Sequence, residues 1–166
     1  MRENFDTAFQ LTIGLEGKMS CDPNDPGGFT IWGLAKRYHP EVNTDTPIEY
    51  AKKVYLEQYW IPAGCDNAPF PWDICLFDSA VNPQNDPKLP DAGNKELMNL
   101  GPENWQEYQC MRMERYMRRS NDRYVKGHIF RVLKLNESIR SLVREKRLAE
   151  AKGSPPTTER RAESGC

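Results

Sequence analysis

Histidine is nearly missing from this chain, with His39 and His128 the only two in 166 residues. A histidine-rich metal centre is thereby excluded, and a serine–histidine hydrolase site has little to be built from. Cysteine occurs five times, as Cys21, Cys65, Cys75, Cys110 and Cys166, but never in a C-x-x-C spacing, so no zinc ribbon or dithiol redox centre is encoded. The odd count leaves at least one thiol unpaired in a monomer. No apolar run approaches the roughly 20 residues that span a bilayer. Met1-Arg2-Glu3-Asn4-Phe5-Asp6 is polar and leads into no apolar stretch of signal-peptide type, so the chain is expected to be made in the cytoplasm without a signal peptide. Neither charge dominates, since 23 Lys and Arg stand against 24 Asp and Glu. Whole-chain electrostatics therefore offers no case for nucleic acid.

What is present is enough apolar content, 38%, for one modest core, and a single domain over residues 1–150 is expected. The charge is unevenly placed. Residues 1–110 hold 8 basic and 17 acidic side chains, whereas 111–147 hold 12 and 4. A basic rear half suggests a polyanionic surface nearby; a solvated helix face is the plainer reading.

Helical spacing of Phe5, Ala8, Phe9, Thr12 and Ile13 after Asn4 as N-cap predicts a first helix over about 4–16, ended by Gly17. Residues 20–28 are turn formers throughout, and Phe29-Thr30-Ile31-Trp32 before Gly33 predicts one or two small strands. A small β or loop lobe at 20–33 follows, with a helical turn over Leu34–Tyr38. Thr46-Pro47-Ile48-Glu49 has the form of a capping box opening a helix to about residue 60. Residues 72–82 are apolar nearly all round, as a buried central helix should be. A polar loop at 83–102, with one helical turn near 94–99, leads to two C-terminal helices at about 103–124 and 129–148, separated by Gly127. Residues 151–166 read as a disordered tail.

At about 100° per residue Glu16 falls on the apolar stripe of the first helix, where lost hydration raises a carboxyl pKa and suits it to general-acid work. Asp25 follows in a turn-rich loop that keeps it ionised, and Thr30 brings a hydroxyl able to hold water. Two carboxyls in unlike surroundings are what glycosidic cleavage requires. Chance also supplies such spacings in a chain with this many acids, so a helix-end Glu and a turn Asp remain the alternative.

The run Glu16-Gly17-Lys18-Met19-Ser20-Cys21-Asp22-Pro23-Asn24-Asp25-Pro26-Gly27-Gly28-Phe29-Thr30-Ile31-Trp32-Gly33-Leu34 resembles the opening motif of glycoside hydrolase family 108. Members show an E-G-G-Y start, a D-P-x-D-P-G-G-x-T core and an aromatic-Gly-aliphatic close. Tyr59-Trp60, Phe77-Asp78-Ser79-Ala80-Val81-Asn82 and Lys126-Gly127 with Arg131-Val132 are similar to later landmarks. The resemblance covers 5–82 well and 103–135 faintly. It implies a mainly α, lysozyme-like fold, with a small β-hairpin lobe beside a helical bundle, and N-acetylmuramidase activity on peptidoglycan glycan strands. Glu16 matches the catalytic glutamate, and Asp25 and Thr30 match positions completing a Glu/Asp/Thr site. An inverting route would separate the carboxyls by about 6.5–9.5 Å, a retaining one by about 5–5.5 Å; the inverting route is preferred. Lys18-Met19 departs from the family's Gly-Tyr, and residues 83–102 are shorter than a region that resembles a wall-binding module. The basic helices at 111–147 are a candidate replacement, through contact with an anionic envelope.

Trp32 and Asn82 are the candidate substrate contacts, although Asp78 and Asn82, one helical turn apart, fit a structural hydrogen bond to the loop better. Asp22–Gly27 only faintly echoes a calcium loop, because Pro26 and Gly33 stand where ligands are needed. No metal or cofactor is expected. Nucleic acid is not expected either, since Tyr108, Arg112, Arg115 and Arg119 lack the glycine-flanked aromatics of base-stacking modules. The reading is a monomeric phage endolysin that inserts in no membrane, accumulates in the host cytoplasm and reaches periplasmic peptidoglycan when a holin opens the inner membrane. A lytic transglycosylase and a catalytically silent wall-binding or secretion-associated protein are the alternatives.

Overall fold

A helix with apolar side chains on every side can satisfy them only in the interior. The other helices of this chain are arranged around such a helix. In the computed structural model, which describes residues 2–14, 19–20, 28–83, 99–118 and 125–153, α3 (Trp72–Val81) is buried at every residue from Trp72 to Ser79. α1 (Phe5–Thr12) and α2 (Ile48–Tyr55), which continues as a wider turn over Leu56–Trp60, pack on it through rings. Phe5 meets Trp60 at 5.4 Å and Phe77 at 5.8 Å, both edge-on, and Phe9 meets Tyr55 at 5.6 Å. Each such pair adds about 0.5–1.5 kcal/mol to simple burial. α4 (Trp105–Arg118) and α5 (Val125–Gly153) cover the other side, with Trp72 edge-on to Tyr108 at 4.7 Å. Trp60, Trp72 and Trp105 are thus core residues.

The chain is 69% helical over the described residues, so the mainly α expectation holds. The only sheet among those residues is antiparallel, in the order β1 (Met19–Ser20), β2 (Thr30–Ile31), β3 (Leu34–Ala35). Leu34–Ala35 is therefore strand rather than the start of a helical turn. Its pairing with β2 fills hydrogen bonds that the local sequence could have spent on a turn.

Several predicted boundaries shift for identifiable reasons. Asn4 already has helical backbone angles within a 3₁₀ turn and makes no cap bond; its amide donates instead to the buried Asp73 at 2.7 Å. Thr46 is not the cap of α2. Its hydroxyl accepts the Asn43 amide N–H at 2.9 Å, closing the preceding loop, and the helix begins after Pro47. Gly127 does not separate two helices but lies in the first turn of α5, where helix entropy costs least. That helix runs to Gly153, past the predicted start of the tail. α1 ends at Thr12 rather than near residue 16, with Ile13 as its C-cap and Ile13–Gly14 in a turn. Residues 15–18 with Gly17, the 94–99 turn, the 119–124 connection and residues 154–166 lie outside the described residues.

Candidate active site

Two residues, Trp32 and Gly33, join β2 to β3, with φ of +52° and +76°. Positive φ at both central positions is the type I′ hairpin turn, whose twist matches that of paired strands. Glycine takes this conformation freely and a tryptophan does not, so Trp32 is a backbone outlier of the kind that clusters at functional sites. It is held there by its indole N–H, which donates to the Thr46 carbonyl at 2.9 Å, and by packing against the core. Gly33 cannot be larger, because a Cβ there would lie 2.5 Å from the Tyr55 hydroxyl oxygen. The turn is thereby seated on α2 and on Ile13 beyond α1.

Thr30 precedes this turn on β2, half-buried and paired with Ser20 across the strand. Its hydroxyl has one long contact, 3.5 Å to the Gly28 carbonyl, and so has capacity for another partner. Thr30 and Trp32 thus share one hairpin. Glu16 and Asp25 lie outside the described residues, as do residues 22–27 of the calcium-like run. Thr12, the last residue of α1, receives Arg131 Nη1 on its carbonyl at 3.4 Å. Burial pushes the Arg131 pKa down, and the helix C-terminus is where a cation is favoured.

Asn82 follows α3, and its side-chain amide donates to Asp78, at 3.2 Å to the carbonyl and 3.4 Å to Oδ1. Its own carbonyl accepts the Tyr116 hydroxyl at 2.8 Å. These contacts fix the end of α3. Asp78 has its main partner elsewhere. Arg112 Nη2 of α4 lies 2.7 Å from its carboxylate, with both side chains fully buried, forming an interior ion pair; most of the loop to which a bond from Asp78 was predicted lies outside the described residues. Arg112 also donates to Gln109 Oε1 at 2.9 Å. Burial would lower the Arg112 pKa, but Asp78, Tyr108 and Tyr116 raise it further than burial lowers it.

The pair was invisible in the sequence because Arg112 and Arg115 count there as surface charge, and both are buried. A spacing of 34 residues between partners carries no local signal. Cys65 and Cys75 are buried, and each thiol is pushed up to about 12, chiefly by burial. Among the described residues no group of three His, Cys, Asp or Glu side chains could hold a metal ion. A cavity of about 480 Å³ between α1 and α5 is lined by Asp6, Leu11 and Ser138 among others, and by none of the predicted site residues.

Residues 9–83 match the family model described as glycosyl hydrolase 108, a span a little under half the chain. Over that span the chain is similar to glycosyl hydrolase 108 sequences, which supports the resemblance seen in the motif around Glu16. The match takes in the second half of α1, the three-stranded sheet, α2 and α3, and supports a glycoside hydrolase acting on peptidoglycan. No curated protein and no solved structure matches the chain.

Proposed function

We propose that the protein is an N-acetylmuramidase of the endolysin kind, cleaving the β-1,4 bond between N-acetylmuramic acid and N-acetylglucosamine. The observation that carries the reading is the glycosyl hydrolase 108 match across 9–83, which contains Glu16, Asp25 and Thr30 together. Of these, Thr30 lies on β2, which pairs with β1.

In this mechanism Glu16, protonated in a partly apolar niche, donates its proton to the glycosidic oxygen as the bond to the anomeric carbon breaks. Asp25 and the Thr30 hydroxyl orient the water that attacks that carbon, and Asp25 takes up its proton. Trp32 and Asn82 contact the glycan. Release from the host cytoplasm would depend on a holin.

Turbidity loss of permeabilised Gram-negative cells tests the assignment. Glu16→Gln should lose at least about a hundredfold in rate, and equal clearing by this variant and the parent refutes the catalytic role. Reducing muramic ends mark hydrolysis; 1,6-anhydro ends with full activity in Asp25→Asn would mark a lytic transglycosylase. No clearing by the parent would mark a silent wall-binding scaffold.

A further inference from the structure

α5 presents an outward stripe that the core does not use. At about 100° per residue, Phe130, Leu133, Arg140, Arg144, Arg147 and Leu148 fall within an arc of about 100° that also holds Glu137, and all are exposed. Phe130 is 58% exposed, Leu133 48% and Leu148 52%, so the first and last turns of the stripe each present bulky apolar surface. Three arginines against the single carboxylate of Glu137 leave the same stripe net positive. Arg140, Arg144 and Arg147 wall a cavity of about 290 Å³ with Trp105, Val143 and Leu148, and no carboxylate is among its lining residues. Among the described residues no acid lies within ion-pair distance of the three guanidiniums. Arginines three and four residues apart repel one another on a helix, which disfavours the arrangement unless an anion from outside joins it. Guanidinium forks suit phosphate oxygens.

We propose that this face of α5 docks in the plane of an anionic phospholipid surface, with headgroup phosphates at Arg140, Arg144 and Arg147 and with Phe130, Leu133 and Leu148 dipping into the interface. The apolar side chains decide for lipid over a soluble polyanion, which offers them nothing to bury against. From Phe130 to Leu148 the stripe is about 27 Å long, at 1.5 Å per residue. No helix among the described residues is long and apolar enough to cross a membrane, so the contact is interfacial. The proposal is independent of the glycosidase chemistry.

Co-sedimentation of the full chain with phosphatidylglycerol vesicles and with phosphatidylcholine vesicles tests it. Binding should favour the anionic vesicles and weaken with salt. The triple variant Arg140→Gln/Arg144→Gln/Arg147→Gln should bind roughly a hundredfold more weakly. Phe130→Ser/Leu133→Ser/Leu148→Ser should bind at least about tenfold more weakly, with unfolding midpoints unchanged in both. Equal binding to the two vesicle types, or parental binding by the arginine variant, overturns the proposal. Parental binding by the apolar variant, with polyphosphate competing fully, would mean a polyanion site and also overturns it. Glu16→Gln should bind vesicles like the parent, so failure of the muramidase reading leaves this result readable.

Discussion

Removing the Asp78 carboxylate is the most demanding test of how α3 and α4 are held together. Asp78→Asn keeps the shape and leaves Arg112 buried as a cation, with Gln109 as its remaining hydrogen-bond acceptor among the contacts described above. Charges at 2.7 Å attract by about 6 kcal/mol at an effective dielectric of about 20, and desolvation of both groups offsets much of this. Breaking such a pair from one side typically costs about 3–5 kcal/mol, because the surviving charge is uncompensated. Deprotonation offers no escape, since a guanidinium stays protonated in proteins. Against a total stability of about 5–15 kcal/mol, the variant should unfold far earlier in urea. With a slope of about 2 kcal/mol per molar, the midpoint falls by roughly 2 M. Asp78→Leu/Arg112→Met, which removes both charges and keeps volume, should recover most of that loss. Far-UV circular dichroism against urea reads all three proteins. A loss below about 1 kcal/mol in Asp78→Asn, or a double variant no better than the single one, would refute the reasoning.

Other perturbations follow from the same coordinates. Gly33→Ala should destabilise by about 1–3 kcal/mol and reduce activity, because it combines positive φ with a contact against the Tyr55 hydroxyl; thermal unfolding measures the first effect. Cys65 and Cys75, each pushed up to about 12, keep their protons in the fold while unfolded thiols lose theirs near pH 8.5. Their stabilising contribution is complete below that pH and is lost as pH rises toward 12, by up to about 1.4 kcal/mol per unit for each thiol. Thiol titration with an aromatic disulfide should accordingly find both groups unreactive until the protein unfolds. Asp66, held well below the usual carboxylate range by Arg2 and then by the Trp60 indole N–H, works with the opposite sign. Its contribution is present above about pH 4 and fades as pH falls further, so acid unfolding of Asp66→Asn should show a weaker pH dependence than that of the parent.

Periodicity alone located α3, because side chains apolar on every side leave a helix no surface position to occupy. Local composition likewise marked the turn-rich lobe, and the motif around Glu16 pointed to the family that the match over 9–83 supports. The capping of α1 and α2 was misread for a local reason. Asn4 and Thr46 are good caps in isolation, but each found a competing partner, Asp73 for one and the Asn43 amide for the other.

Charge was the hardest property to read, since a residue type says nothing about its depth. Arg112 and Arg115 look like members of a basic surface in the sequence, and folding buries both. Arg140, Arg144 and Arg147 have the same composition, and folding leaves them on an open face. The sequence by itself determined which segments must be interior and which turns must bend, since those depend on neighbours a few residues away. Only tertiary structure decided that Asp78 would meet Arg112, and that Trp32 would be pinned in a left-handed turn by Thr46. Those contacts join residues 34 and 14 apart along the chain, and their energy exists only once the intervening segments have folded into place.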